Sequence, residues 1–252
     1  MSMIEFDNVH KSFGPKNVLR GVTINVDKGE SLVVIGGSGS GKSVLLKHIL
    51  GIHRPDTGKV IVDGIEVSRL SANAMQEMMP KFGMLFQGGA LFDSLSIWEN
   101  VAFGLIQGKR MKRSDAHDIA LEKLKSVGLG DEVANLFPNE LSGGMQKRVS
   151  LARSIATEPE IILFDEPTTG LDPIMADVIN NLIVKCSKEI GATTITITHD
   201  MASARKIADK MAMLYEGTII WHDDKDRIDS SQNDYVDQFI HGRAEGPIRM
   251  KI

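Results

Sequence analysis

The chain has 252 residues, 42% hydrophobic and 25% charged, enough for one large α/β domain with an inserted subdomain and a sizeable core. Its net charge of −4 implies no general affinity for nucleic acid. Its single cysteine, Cys186, excludes an internal disulfide and fits a reducing compartment. No basic and then apolar leader opens the chain and no apolar run approaches a membrane span, so any work at a membrane is expected to pass through a partner.

Residues 4–9 and 18–26 alternate like antiparallel strands. Phe13 falls in the loop between them, where an aromatic can stack on a nucleobase or simply pack between strands. The apolar, β-branched run Ser31-Leu32-Val33-Val34-Ile35 reads as a buried parallel strand. It leads into Gly36-Gly37-Ser38-Gly39-Ser40-Gly41-Lys42-Ser43, which satisfies G-x-x-x-x-G-K-[ST] at every fixed position. Leu45, Leu46, Ile49 and Leu50 then recur at helical spacing. Strand, glycine loop and helix start together make an anion cradle: glycines turn backbone N–H groups inward, and the helix start adds unpaired donors and partial positive charge. In such a phosphate loop Lys42 reaches the β- and γ-phosphates and the Ser43 hydroxyl ligates Mg²⁺.

Beyond the loop, Asp63-Gly64 predicts a hairpin turn, residues 71–80 a short helix, and Phe82–Phe86 a buried strand broken by Gln87-Gly88-Gly89. A glutamine there can orient a water or touch Mg²⁺, or merely leave the core. From Gly88 to about Pro159 strand runs vanish, which predicts a helical subdomain inserted in the α/β core. Ser114 reads as a helix N-cap, and Gly128 as a stop. The basic cluster Lys109–Arg113 can lie near anionic lipid headgroups but reads better as a solvated loop. In Leu141-Ser142-Gly143-Gly144, Ser142 is a natural N-cap and the glycines expose N–H groups, a second anion-binding helix start.

The run Ile161–Phe164 ends in Asp165-Glu166, two acids costly at the end of a buried strand unless ligated or solvated. Asp165 suits the Mg²⁺-holding acid of the phosphate-loop NTPases, and Glu166 is placed to polarise an attacking water. Asp172-Pro173 predicts a helix start, and that helix carries Cys186 on its apolar face. His199 follows a Thr/Ile-rich strand, where open parallel sheets bind ligands, although a lone histidine is more often structural. Strands over 211–215 and 218–222, and a helix near 233–240, complete the core and tail.

Taken in order, Gly36–Ser43, Gln87, Leu141–Gly144, Ile161–Glu166, Gly170-Leu171-Asp172 and His199 resemble the ATP-binding cassette (ABC) ATPases, over residues 4 to about 225. The resemblance implies an α/β P-loop NTPase (RecA-like) core with an antiparallel β subdomain and an inserted α-helical subdomain at about 88–159. The ATPase domain would span 1–230 and a tail, 231–252, would contact a dimer partner. It implies that Phe13 stacks on adenine and that Gly36, Gly37, Ser38, Gly39, Ser40, Gly41, Lys42 and Ser43 hold ATP. Ser43, Gln87 and Asp165 serve Mg²⁺, Glu166 is the catalytic base, and Gln87 and His199 attend the γ-phosphate. Ser142, Gly143 and Gly144 complete the ATP site of the opposite subunit of a homodimer, with Asp172 at the interface. Met145 departs from the glutamine of the common signature, beyond the phosphate-contacting glycines.

A narrower resemblance lies in Met84–Leu95 and Gln238–Pro247, which look like the MlaF-type ATPases of bacterial phospholipid transport between inner and outer membranes. It implies an MlaE-like permease, an MCE-domain lipid binder and, in some systems, a STAS-domain protein as partners, with no nucleic acid. The ATPase would sit on the cytoplasmic face of the inner membrane, peripherally, through the permease. Two alternatives remain: the ATPase of another ABC importer or exporter, or a soluble SufC-like ATPase of iron–sulfur assembly.

Overall fold

The computed structural model describes residues 1–249; the last three residues of the predicted tail lie outside them. The chain forms two compact units, Met1–Arg69 together with the chain from Ile197, and Leu70–Thr196.

In the first unit β1 (Ser2–Phe13) and β2 (Lys16–Asp27) form an antiparallel pair, with Phe6 opposite Ile24 and Val9 opposite Val22. Both strands are longer than their alternation predicts. Phe13 is therefore not in a loop but ends β1, opposite Lys16 across the Gly14-Pro15 turn. On its other edge β1 pairs with β4 (Thr57–Val62), which pairs with β5 (Ile65–Glu66) across Asp63-Gly64. Both turn residues have positive φ, 50° and 74°, as a two-residue hairpin turn requires.

The phosphate-loop strand β3 (Ser31–Ile35) runs parallel to β9 (Lys210–Tyr215), with Val34 beside Ala212. Strand β10 (Thr218–Asp224) folds back on β9. Leu32–Ile35 are all buried, which is why this strand reads as an unbroken apolar run rather than an alternation. The helices of this unit are α1 (Lys42–Ile49), α7 (Met201–Ile207) and α8 (Asp234–Ile240), the last capped by Asn233, whose Oδ1 accepts from the N–H groups of Tyr235 and Val236.

In the second unit α2 (Ala72–Met78) leads to β6 (Phe82–Leu85), parallel to β7 (Ile161–Asp165), and β7 neighbours β8 (Thr193–Thr198), which runs on to the unit boundary. Between β6 and β7 lie α3 (Ile97–Phe103), α4 (Arg113–Ser126) and α5 (Gly143–Ile155). Helix α6 (Pro173–Ile190) follows β7, with Cys186 buried on its inner face. Ser114 is not the cap of α4: the helix begins at Arg113, and the Ser114 hydroxyl bonds Asp115 inside the first turn. The reason is tertiary. The Arg113 guanidinium pairs with Glu99 and lies 4.6 Å from the centre of the Trp98 ring, so α3 sets where α4 starts. Among the described residues no helix is long and apolar enough to cross a membrane.

Candidate nucleotide site

The loop after β3 is shaped by contacts only glycine tolerates. A Cβ on Gly36 would lie 2.3 Å from the Leu214 carbonyl oxygen. One on Gly41, at φ 109°, would press on Val18 and Leu19 at 3.1–3.2 Å. The loop therefore lies close against β9 and β2 while Gly37 and Gly39 face open space. Lys42 is buried, and its ammonium arches back to donate to Gly36 O at 2.7 Å and Gly37 O at 3.1 Å. Ser43 stands beside it at the first turn of α1, half-buried. Ammonium, helix-start N–H groups and a hydroxyl thus converge on one concave turn, the chemistry of a polyphosphate cradle. A cavity of about 840 Å³ opens beside Gly37–Ser40, with Val18, Tyr215 and Phe239 on its walls. His199, in the same unit, is exposed just past β8, and Asp200 after it caps α7, accepting from Ala202 N at 3.2 Å and Ser203 N at 3.1 Å.

In the second unit Gln87 is exposed just past β6. Its carbonyl accepts a hydrogen bond from the Lys147 ammonium of α5. Burial pushes the Lys147 ammonium below its usual pKa, against the opposing pull of Asp165 and Glu166. Ser142 caps α5, accepting from Met145 N at 3.4 Å, and with Gly143 it stays exposed. Asp165 ends β7, and Glu166 sits at φ 48°, a left-handed conformation that costs a non-glycine residue of order 1–3 kcal/mol and gathers at functional sites. Its carboxylate is buried and accepts from the Thr169 hydroxyl at 3.3 Å. Asp172 Oδ1 caps α6, accepting from Ile174 N and Met175 N at 3.0 Å each.

The predicted residues thus fall in two sets: Phe13, Gly36–Ser43 and His199 in one unit; Gln87, Ser142–Gly144, Asp165 and Glu166 in the other. Two site-supporting residues escape sequence reasoning. Lys147 carries no sequence signal of its own, and nothing local points to its partner 60 residues away. The same holds for Arg153, yet its guanidinium donates to Ala90 O and Gly89 O at 2.7 Å each and lies 5.8 Å from the Phe92 ring centre. It holds the segment just after Gln87.

A family model described as "ABC transporter" matches residues 19–169, spanning the phosphate loop, the Ser142–Gly144 helix start and the Asp165–Glu166 strand end. The chain belongs to the ABC transporter family. This ABC ATPase binds and hydrolyses ATP. It is 41% identical to the probable ribonucleotide transport ATP-binding protein mkl of Mycobacterium tuberculosis, over 98% of this chain and 68% of that one. It is 38% identical to the intermembrane phospholipid transport ATP-binding protein MlaF of Haemophilus influenzae, over 99% of this chain and 94% of that one. Among solved structures it resembles the cassette MJ0796 in a dimeric, post-hydrolysis state with ADP and Pi, at 35% identity and TM-score 0.82, over 88% of this chain and 99% of that one. The ABC ATPase fold read from the motifs is thereby established.

Proposed function

We propose that this ABC ATPase works as a homodimer that drives phospholipid transport between two membranes through an MlaE-like permease. An MCE-domain lipid binder and a STAS-domain protein complete the assembly, which holds the ATPase on the cytoplasmic face of the inner membrane. The observation that carries the cargo is likeness along almost the whole length of a protein named for intermembrane phospholipid transport. A second such protein, MlaF of Escherichia coli, is 34% identical over 98% of this chain and 91% of that one.

In this reading Gly36–Ser43 cradle the phosphates, Lys42 neutralises the β- and γ-oxygens, and Phe13 carries the adenine. The donor set fits Mg²⁺, a hard cation satisfied by few protein oxygens: a Ser43 hydroxyl, an Asp165 carboxylate and the Gln87 amide oxygen. Bound Mg²⁺ would neutralise charge growing on the phosphate oxygens. The Glu166 carboxylate, steadied by the Thr169 hydroxyl, orients the attacking water and takes its proton. Gln87 and His199 attend the γ-phosphate. Ser142–Gly144 offer a helix start to the ATP bound on the other subunit.

The test is transport by the purified complex. The wild type should move phospholipid between proteoliposomes on ATP addition. Glu166→Gln should keep ATP affinity, lose turnover by about 10²–10⁴-fold, and stop transport. A complex that hydrolyses ATP but moves no phospholipid sinks the cargo assignment. ATP-driven movement of ribonucleotides instead would favour the cargo printed for the mycobacterial relative.

A further inference from the structure

Phe13 is 43% exposed at the end of β1, with two side chains against its ring and a third, Asp56, bonded to the strand that carries it. His53 meets its ring edge-to-face, with centroids 5.1 Å apart. The Lys11 ammonium lies 5.5 Å from its ring centre. Asp56 ties down the strand that carries it: Oδ1 accepts from Lys11 Nζ at 2.8 Å, Oδ2 from Ser12 N at 2.6 Å, and Asp56 N donates to His10 O at 2.8 Å. Hydrogen bonding from Lys11 and then Ser12 holds the Asp56 carboxyl below its ordinary pKa, so the clamp is ionised at neutral pH. Burial, with Lys47 and Lys11 nearby, lowers the His53 pKa, leaving a neutral ring against Phe13.

His53 and Asp56 belong to the turn that leaves the phosphate-loop helix. Ile52 N and His53 N both donate to Lys47 O near the end of α1, at 2.9 and 3.1 Å. One continuous stretch therefore runs from the phosphate cradle, through α1, to the ring of Phe13. The distance between phosphate site and aromatic platform is set by a helix of fixed rise and a hydrogen-bonded turn.

We infer that His53 and Asp56 are positioning residues for nucleobase recognition: they hold the Phe13 ring in place before ATP arrives, as a rigid extension of the phosphate-loop helix. The inference rests on Phe13 stacking on adenine. Neither residue touches the nucleotide. Each removes freedom from the aromatic that does, and freedom lost before binding is not lost again on binding. His53 contributes an aromatic pair, and Asp56 contributes the strand anchor.

The experiment compares affinity for Mg-ATP with affinity for inorganic triphosphate, which fills the cradle but has no base. Phe13→Ala should weaken ATP about five- to a hundredfold and leave triphosphate within about twofold. His53→Ala and Asp56→Asn should weaken ATP about two- to tenfold, with triphosphate likewise unchanged. His53→Phe should restore the ATP affinity. The double variant Phe13→Ala/His53→Ala should bind ATP no worse than Phe13→Ala alone, since the two act through one ring. If Phe13→Ala leaves the ATP-to-triphosphate ratio as in wild type, the adenine reading itself fails. If Phe13→Ala lowers that ratio but His53→Ala and Asp56→Asn do not, the stacking stands and the positioning role is overturned. A loss of ATP and triphosphate in equal measure would also overturn it, because that marks a turn that merely supports the fold.

Discussion

The Glu99 carboxylate closes the start of α3, accepting from Ser96 N at 2.8 Å and Ser96 Oγ at 2.7 Å, while Arg113 pairs with its other oxygen. The Ser96 hydroxyl, then its backbone N–H, hold the Glu99 carboxyl below the usual glutamate range. A carboxyl depressed in the folded chain stabilises it above the unfolded pKa, and that contribution is lost as pH falls through the folded value. Glu99→Gln should therefore cost about 1 kcal/mol near neutral pH, the difference between a charged and a neutral hydrogen-bond acceptor. The gap from wild type should close as pH drops below the ordinary carboxylate range. Denaturant unfolding of both proteins across that range checks it; a gap independent of pH would mean the charge contributes nothing. The Ser96-x-x-Glu99 spacing is a local capping-box pattern that the sequence reading did not use. Arg113, which joins it from 14 residues away, belongs to no local pattern. Phe13 shows the same division: its residue type raises the stacking possibility, but only the pairing with Lys16 places it on a strand.

At the scale of elements, helix α5 packs onto β6 so closely that a Cβ on Gly83 would lie 2.1 Å from the Ser154 carbonyl oxygen. Backbone cannot yield as a side-chain tip can, so Gly83→Ala should destabilise the protein by about 1–3 kcal/mol. Gly108→Ala, where a Cβ would meet nothing within 4 Å, should stay within about 0.5 kcal/mol of wild type. Equal melting temperatures for the two variants would contradict the close approach. Elements whose evidence is local were readable in advance. The apolar run of β7, the Asp172-Pro173 start of α6 and the helix near 233–240 all appear where their residues put them. The start of α4 did not follow its local signal, because Arg113 is anchored on Trp98 and Glu99 of another helix.

At the scale of the whole molecule the decisive property is whether two chains share their ATP sites. Lys42→Ala damages the cradle, and Ser142→Arg blocks the signature helix start; each homodimer should be nearly inactive. If a cradle on one chain works with a signature on the other, a mixed dimer holds one doubly damaged site and one intact site. Mixing the two inactive variants should then restore ATP hydrolysis, measured as phosphate release. No recovery on mixing would mean that each chain completes its own site.

The sequence alone determined the glycine-rich loop, the acidic strand end and the capped helix start at Ser142, and their order along the chain pointed to an ABC ATPase. Each of these depends on torsions and hydrogen bonds within a few residues: glycines that turn the backbone, caps that answer the first N–H groups, acids at the end of a buried run. Tertiary structure alone decided what these distant charges hold. Lys147 on Gln87, Arg153 on Gly89 and Asp56 on Ser12 join residues 60, 64 and 44 positions apart. No local pattern encodes such partners, because they are set by where strands and helices come to rest, not by the residue types beside them.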